Sequence, residues 1–516
     1  MTGESSELVT LDPQGVSASS VVAVAREGAR VEISPEAVAA MERARALVEE
    51  AANSPEPVYG VSTGFGLLAT TRIDAERRAD LQHALIRSHA AGMGAPVERE
   101  VVRAMMLLRA RTLCMGLSGS RPAVAAGLVD LLNAGITPVV PEHGSLGASG
   151  DLAPLAHMSL VLTGEGRAQI ADGRTVDGDV ALRESGLSPL RLEMKDGLSL
   201  INGTDGMLGM LVLSLADLAL LLPSADIAAA LSTEGLMGTD RPFAADLQAI
   251  RPHPGQIRSA ANLRLLLQGS GVLASHRTSP HLVQDPYSIR CAPQVVGAAR
   301  DTVDFARQVA DRELCSAVDN PVVLPDGRLE STGNFNGEPL AFACDFLSIA
   351  AAEVGSISER RVDRLLDPAR SAGLPPFLAP EAGVNSGLMI AQYTAAAMVA
   401  ENRRLANPAS VDSIPTSGMQ EDHVSMGWGA ARKLRQVVNN LSRLLAIELL
   451  AASRALELRA PLEPSAADLR VARLVLQLGG GVGPDRFLSP ELEAVAEAVR
   501  SGEILHAAES IVGELR

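Results

Sequence analysis

The stretch GSLGASGDLAPLAHM at 144–158 holds the tripeptide Ala148-Ser149-Gly150 in a glycine-rich loop. Gly144, Gly147 and Gly150 make the loop pliable, and Asp151 with Pro154 in the following turn marks a helix start. Alone, such a stretch is only a loop capped onto a helix. A second polar group is QDPYSIRC at 284–291, where Gln284, Tyr287 and Arg290 fall three apart and share a face if the segment is helical. Tyrosine is scarce: Tyr59, Tyr287 and Tyr393 are the only three, and Tyr59 opens the octapeptide YGVSTGFG at 59–66. Of 45 basic residues, only Lys195 and Lys433 are lysines. A pyridoxal-phosphate enzyme needs a Schiff-base lysine, and a phosphate loop usually carries one. Neither lysine follows a Gly-rich turn, so both read as ordinary surface or helix-end cations.

Taken together, these segments give the chain its resemblance to the histidine and phenylalanine/tyrosine ammonia-lyases and their aminomutase relatives, in matching order from Tyr59 to about Leu458. The resemblance implies that Ala148-Ser149-Gly150 cyclises unaided. The Gly150 nitrogen attacks the Ala148 carbonyl and two waters leave, giving 4-methylideneimidazol-5-one (MIO), with no external cofactor and no metal. The residue types suit that chemistry, because Gly150 has no side chain to block closure, Ser149 has a β-hydroxyl to eliminate and Ala148 is compact. A ring at or near a helix N-terminus also has amide N–H groups to favour negative charge on its carbonyl. Ammonia is a poor leaving group, and capture of the amine by the alkene improves it; a base must then take the β proton.

The same resemblance assigns the surrounding residues. Tyr59 matches the family's general base, whose ordinary pKa of about 10 must fall or be matched in place. Asn202, in INGT at 201–204, matches the residue that helps form MIO and positions the amino group. Phe335, in GNFNG at 333–337, matches an aromatic packed beside the ring. Arg290 matches the clamp that grips the substrate carboxylate with a planar fork, with Gln284 and Tyr287 completing the set. Histidine-specific relatives carry His after this Phe, whereas this chain has Asn336, a departure that bears on substrate preference.

Two further pairs bear on substrate. Ser88-His89, within SHAAGMG, stands where phenylalanine lyases carry an apolar pair such as Phe-Leu and tyrosine lyases His-Leu. Gln420-Glu421, within MQEDHVSMG at 419–427, stands where aromatic lyases show Asn-Gln. Glu421 can accept an imidazole N–H, and an unpaired buried carboxylate facing a phenyl ring would be penalised. Separately, His89 reads as a structural histidine and Glu421 as a helix cap. Together, in register with the family, they imply elimination of ammonia from L-histidine to give trans-urocanate. The alternatives are an MIO-dependent 2,3-aminomutase and a lyase acting on phenylalanine or tyrosine. A fumarase/aspartase-type lyase needs a GSSxMPxKxN loop, which the chain lacks. A non-catalytic bundle protein would be free to lose the residues retained here.

The elements that must position these residues are helical. Hydrophobic residues make up 47% and aromatics 2%, so the core is built from Ala, Leu, Val and Ile, which favours helix on helix. Helices are expected at 36–52, 75–92, 97–116 and 121–135, with hairpins near 167–180 and 322–329. Met207–Leu222 is the most apolar run; it is shorter than the ~20 residues of a bilayer span, carries Asp217 and is expected to stop at Pro223. No proline interrupts Pro415–Pro461, and a helix of ~40 residues there would be ~60 Å long. Helices of that length pack in bundles, often against other subunits. The resemblance implies a mainly α, long-helix bundle of the fumarase/aspartase-like type, with a loop-rich MIO-bearing domain at 1–220 and the bundle at 221–516. It also implies a homotetramer whose pockets draw on three chains.

A formal charge of −16 disfavours nucleic acid and an anionic membrane surface. The four cysteines are widely spaced, without a CxxC pair, and suggest neither zinc nor a disulfide framework. The opening MTGESSELVT is acidic and polar, unlike a signal peptide, so a cytoplasmic setting is expected.

Overall fold

Alanine and leucine lose little on entering a helix, and the runs rich in them fold accordingly. The computed structural model describes residues 8–53, 63–64, 73–278 and 283–516, and it is mostly helical. The expected early helices are Pro35–Ala52, Arg78–His89, Arg99–Cys114 and Pro122–Asn133. Pro35–Ala52 starts where Ser34 accepts the Ala37 N–H at 3.1 Å, with proline in its first turn. Both hairpins form: Arg167–Gln169 pairs antiparallel with Thr175–Asp177, and Val322–Val323 with Leu329–Glu330. A parallel pair, Leu8–Leu11 with Arg30–Ile33, was not anticipated.

The described chain forms two compact units. The first comprises the chain up to Leu213 with Arg307–Asp345 and Pro408–Arg432; the second comprises Ser214–Ala306, Phe346–Asn407 and Lys433–Arg516. Two segments beyond residue 220 therefore belong with the N-terminal unit.

In the first unit, Arg99–Cys114 is buried from Val101 to its end, including three arginines. Each arginine donates to backbone carbonyls of neighbouring segments. Arg103 donates to Val24 and Leu132 carbonyls at 2.9–3.3 Å, and Arg111 donates to the Ser316 carbonyl. In the second unit, Leu434, Val437, Val438, Leu441, Leu444 and Leu445 form the expected buried stripe. On the same helix, Glu448 is fully buried, bound by the Arg361 guanidinium at 2.9 Å and the Ser232 hydroxyl at 2.7 Å.

Two helix boundaries differ from expectation. The last long helix is Gly427–Leu458, 32 residues rather than ~40. Freedom from proline permits a helix without requiring one: Thr416 bridges to Glu421, and the Met426 N–H goes to the Leu146 carbonyl at 2.9 Å, so these amides are engaged elsewhere. Conversely, Asp205–Gly235 runs straight through Pro223. Proline removes one donor, leaving the Ala219 carbonyl without its helical partner. The loss is absorbed by buried packing on both sides, with the Ser224 hydroxyl bonded back to Leu220 at 2.8 Å. This helix and Glu338–Leu366 are long and apolar enough to cross a bilayer, yet 78% and 61% of their most apolar windows are buried within the protein, as in core helices.

The second unit also contains a pair of facing acids. Glu234 accepts the Ser465 N–H at 2.8 Å and hydrogen-bonds Asp468, and both side chains are buried. Two carboxyl groups can bond only if one keeps a proton, and burial raises the pKa of both. Their contribution to stability is complete below the unfolded values near 4 and is lost as pH rises through the raised folded values. The thermal midpoint should therefore fall as pH is raised from about 5 to 9. Asp468→Asn should flatten that slope; an unchanged slope would assign the dependence to other groups.

Candidate active site

Ala148 and Ser149 occupy the centre of a tight turn closed by a Gly147–Gly150 bridge, just ahead of the Leu152–Leu162 helix. Such a turn brings Gly147 and Gly150 together and leaves Ala148 and Ser149 at its tip. Gly150 also bridges to Gly203 and has φ +79°; a Cβ there would lie 2.0 Å from the Gly203 oxygen. Only glycine fits, for conformation and for space. The Asp151 N–H completes the contact, donating to the Gly203 carbonyl at 2.7 Å.

Asp151 precedes the Leu152–Leu162 helix as expected, but its side chain does not cap that helix. Its carboxylate instead accepts the Gly206 and Met207 N–H groups, each at 2.9 Å, in the first turn of Asp205–Gly235. Burial pushes its pKa up to about 7, against the pull of those donors. The turn thus sits beside the start of two helices, where amide hydrogens favour negative charge.

Asn202 adjoins the same contact and is buried. Arg109 donates to its backbone carbonyl at 3.0 Å and to that of Val318 at 2.8 Å, and pairs with Asp205 at 3.3 Å. The Asn202 amide nitrogen donates to Asp319 at 3.2 Å and to the Asn320 carbonyl at 2.8 Å. Asp319 in turn binds the Lys195 ammonium at 2.9 Å. Lys195 was expected to be a surface or helix-end cation. It is 0% exposed and sits at the N-terminal end of Asp196–Ile201, where a helix disfavours positive charge. Burial lowers its pKa, and the Asp319 charge opposes that shift.

Phe335 is half-buried on a loop docked against the same unit. A Cβ on Gly337 would meet the Met207 sulfur at 2.3 Å, and one on Gly147 the Ser425 hydroxyl at 2.2 Å, so both loops approach through glycine. Asn336 takes the Glu338 N–H on its side-chain oxygen at 2.9 Å, at the start of Glu338–Leu366. The bond is a local turn two residues ahead, just before the helix, and nothing in the structure explains the departure from histidine at this position.

His89 and Glu421 both belong to the first unit, and the Glu421 charge pulls the His89 pKa up against its burial. His89 Nδ1 lies 2.9 Å from the Leu85 carbonyl, a pure acceptor, so Nδ1 carries the proton and Nε2 keeps its lone pair. Burial, first, lowers the His89 pKa and favours the neutral ring. Glu421 is not the helix cap its sequence suggested; its carboxylate accepts the Thr416 hydroxyl at 2.9 Å across a local bridge.

The remaining residues lie in the second unit. Tyr287–Arg290 forms a single helical turn, with the Arg290 guanidinium 4.5 Å from the Tyr287 ring centroid. Gln284 does not share that turn, because Pro286 holds extended backbone ahead of it and disfavours helix at Asp285. Asp285 is buried and accepts Thr239 N–H and O–H at 2.9 and 3.1 Å, while Arg361 donates to the Ser288 carbonyl at 3.1 Å. Tyr59 lies outside the described residues. Sequence reasoning missed Arg109, Lys195, Asp319 and Arg361. Arg109 carried one usable signal, a charge embedded in the apolar run AMMLLRARTLC.

A profile described as Aromatic amino acid lyase matches residues 16–477. The histidine ammonia-lyase of Streptomyces avermitilis is 61% identical over 98% of this chain and 99% of its own length. Among solved structures, the histidine ammonia-lyase of Trypanosoma cruzi superposes with a TM-score of 0.90 at 40% identity, covering 98% of this chain and 96% of that one. A tyrosine aminomutase of Streptomyces globisporus gives a TM-score of 0.91 at 39% identity, covering 98% of this chain and all of its own.

The turn geometry makes a direct prediction. Gly150→Ala should prevent closure, so the intact protein should weigh what its sequence dictates, whereas the natural chain should weigh two waters less. A two-water deficit in Gly150→Ala, read by intact mass spectrometry, would show that the Gly150–Gly203 contact does not control ring formation.

Proposed function

The chain belongs to the aromatic amino acid lyase family, and from that premise we propose that it eliminates ammonia from L-histidine to give trans-urocanate. The observation that carries the choice of substrate is that His89, held by the Leu85 carbonyl with its Nε2 lone pair free of hydrogen, and Glu421, held by Thr416, occur in the same unit. Both offer acceptors that an imidazole N–H can satisfy and a phenyl ring cannot.

We also propose that Ala148, Ser149 and Gly150 close into MIO. The tight turn and the glycine-only approach to Gly203 support that reading. Once formed, the ring supplies an electrophilic alkene that makes the amino group a better leaving group. The protein's own groups do the rest. Asn202 presents an unpartnered amide oxygen to the substrate's amino group. Tyr59 takes the β proton, Arg290 grips the carboxylate, Tyr287 and Gln284 bind beside it, and Phe335 packs against the ring. His89 and Glu421 hold the imidazole. We assign a cytoplasmic homotetramer acting on a free amino acid, with no nucleic acid or membrane partner. Exposed apolar groups in the second unit, Phe305, Phe346 and Ile349, support assembly between copies.

Return of ammonia to Cβ is the rival, favoured by the likeness to the tyrosine aminomutase structure. Purified protein incubated with histidine, phenylalanine and tyrosine, with products resolved by chromatography, separates the readings. Urocanate and ammonia from histidine are expected, and Ser149→Ala should abolish both. A β-amino acid would make the enzyme a mutase, and preference for phenylalanine or tyrosine would overturn the substrate assignment. His89→Leu combined with Glu421→Gln should cut histidine turnover by about 10- to 100-fold, the worth of a hydrogen bond to a charged group. Elimination from phenylalanine or tyrosine should stay level or appear. An equal fall on all three substrates would remove these two residues from the recognition of imidazole.

A further inference from the structure

The roles assigned above use neither Lys195 nor Asp319, yet both side chains are buried, at 0% and 1% exposure, and bonded to each other at 2.9 Å. We propose that this ion pair is a positioning device that locks the Asn202 amide with its oxygen free, so that the site selects ligands bearing an amino group. The proposal rests on the lyase reading and extends it to residues that touch no substrate.

The argument is one of donors and acceptors. The two N–H bonds of the Asn202 amide point at the Asp319 carboxylate, 3.2 Å away, and the Asn320 carbonyl, 2.8 Å away. Neither acceptor can donate, so a flipped amide would set its oxygen against two oxygens. Among the described residues the amide oxygen is buried and has no partner, so it is available as an acceptor for an incoming N–H. Lys195 matters because an ion-paired carboxylate only accepts, whereas a neutral acid or amide at position 319 could donate and let Asn202 turn over. The base of the side chain is held separately by Arg109, at 3.0 Å from the Asn202 carbonyl. The same hub reaches the aromatic loop, since the Asn320 side chain accepts the Thr332 N–H at 2.8 Å, three residues before Phe335.

The test compares Asp319→Asn, Asn202→Ala and the two combined in the full-length enzyme. The readouts are kcat/KM for histidine and the inhibition constant of 3-(imidazol-4-yl)propanoate, which lacks the amino group. Asp319→Asn should lower kcat/KM about 10-fold or more while leaving inhibition by the des-amino analogue nearly unchanged. The combined variant should be no worse than Asn202→Ala alone, because both remove one function. A folded Asp319→Asn protein that keeps both waters also supports the proposal, since Asn202 is expected to assist ring closure. Should Asp319→Asn fail to fold, Lys195→Met with Asp319→Asn leaves no unpaired buried charge and carries the same comparison. Equal weakening of both ligands, or effects that multiply with Asn202→Ala, would make the pair merely structural. Natural protein that does not convert histidine would instead overturn the lyase reading itself.

Discussion

Charge buried around the tripeptide turn is the constraint on which the first unit depends. Arg109, Asp151, Lys195, Asp205 and Asp319 are almost wholly shut away from water. A buried charge costs several kcal/mol unless paired and hydrogen-bonded, and here each is held by named partners. Asp151 holds the start of the Asp205–Gly235 helix, Arg109 ties Asn202 to Val318, and Lys195 with Asp319 fixes the Asn202 amide. Satisfying these charges fixes the backbone around Gly203, and Gly203 is the surface against which the turn at Gly150 is pressed. The electrostatics therefore hold the backbone on which the proposed ring closure depends.

The second unit uses the same principle for a different end. Glu448 lies on the buried face of an amphipathic helix and binds Arg361, whose other nitrogen reaches the Ser288 carbonyl. Ser288 belongs to the short turn that carries Tyr287 and Arg290. One helical turn has little stability of its own, so an external donor to its backbone and the buried Asp285 beside it hold it in shape. Arg290 lies over the Tyr287 ring, and among the described residues it makes no salt bridge.

On the reading proposed above, substrate is recognised through tautomers and acceptors more than through shape. The Leu85 carbonyl dictates which nitrogen of His89 carries hydrogen, and Glu421 is oriented by Thr416. Both therefore face a ligand with defined polarity. A phenyl ring would strand that polarity, while an imidazole can meet it.

Much of this was legible in residue order. Helical periodicity located the early helices because amphipathic faces must be buried whichever neighbour buries them. The family motifs pointed to Ser149, Asn202, Phe335, His89 and Glu421 as the expected site residues, because the proposed chemistry calls for those side-chain types. What residue order could not supply were consequences of contacts far apart in the chain. Pro223 was read as a stop, but buried packing carried the helix through it. Asp151 was read as the cap of the helix that follows it, but it serves one that begins more than fifty residues later. Lys195 looked like a surface cation because a lone lysine carries no local sign of burial. Only when the chain brings Asp319 within 2.9 Å does it become half of an ion pair. The sequence determined which groups could react; the tertiary structure decided which donors and acceptors those groups face, because pairing of buried charge depends on partners in space and not on neighbours in sequence.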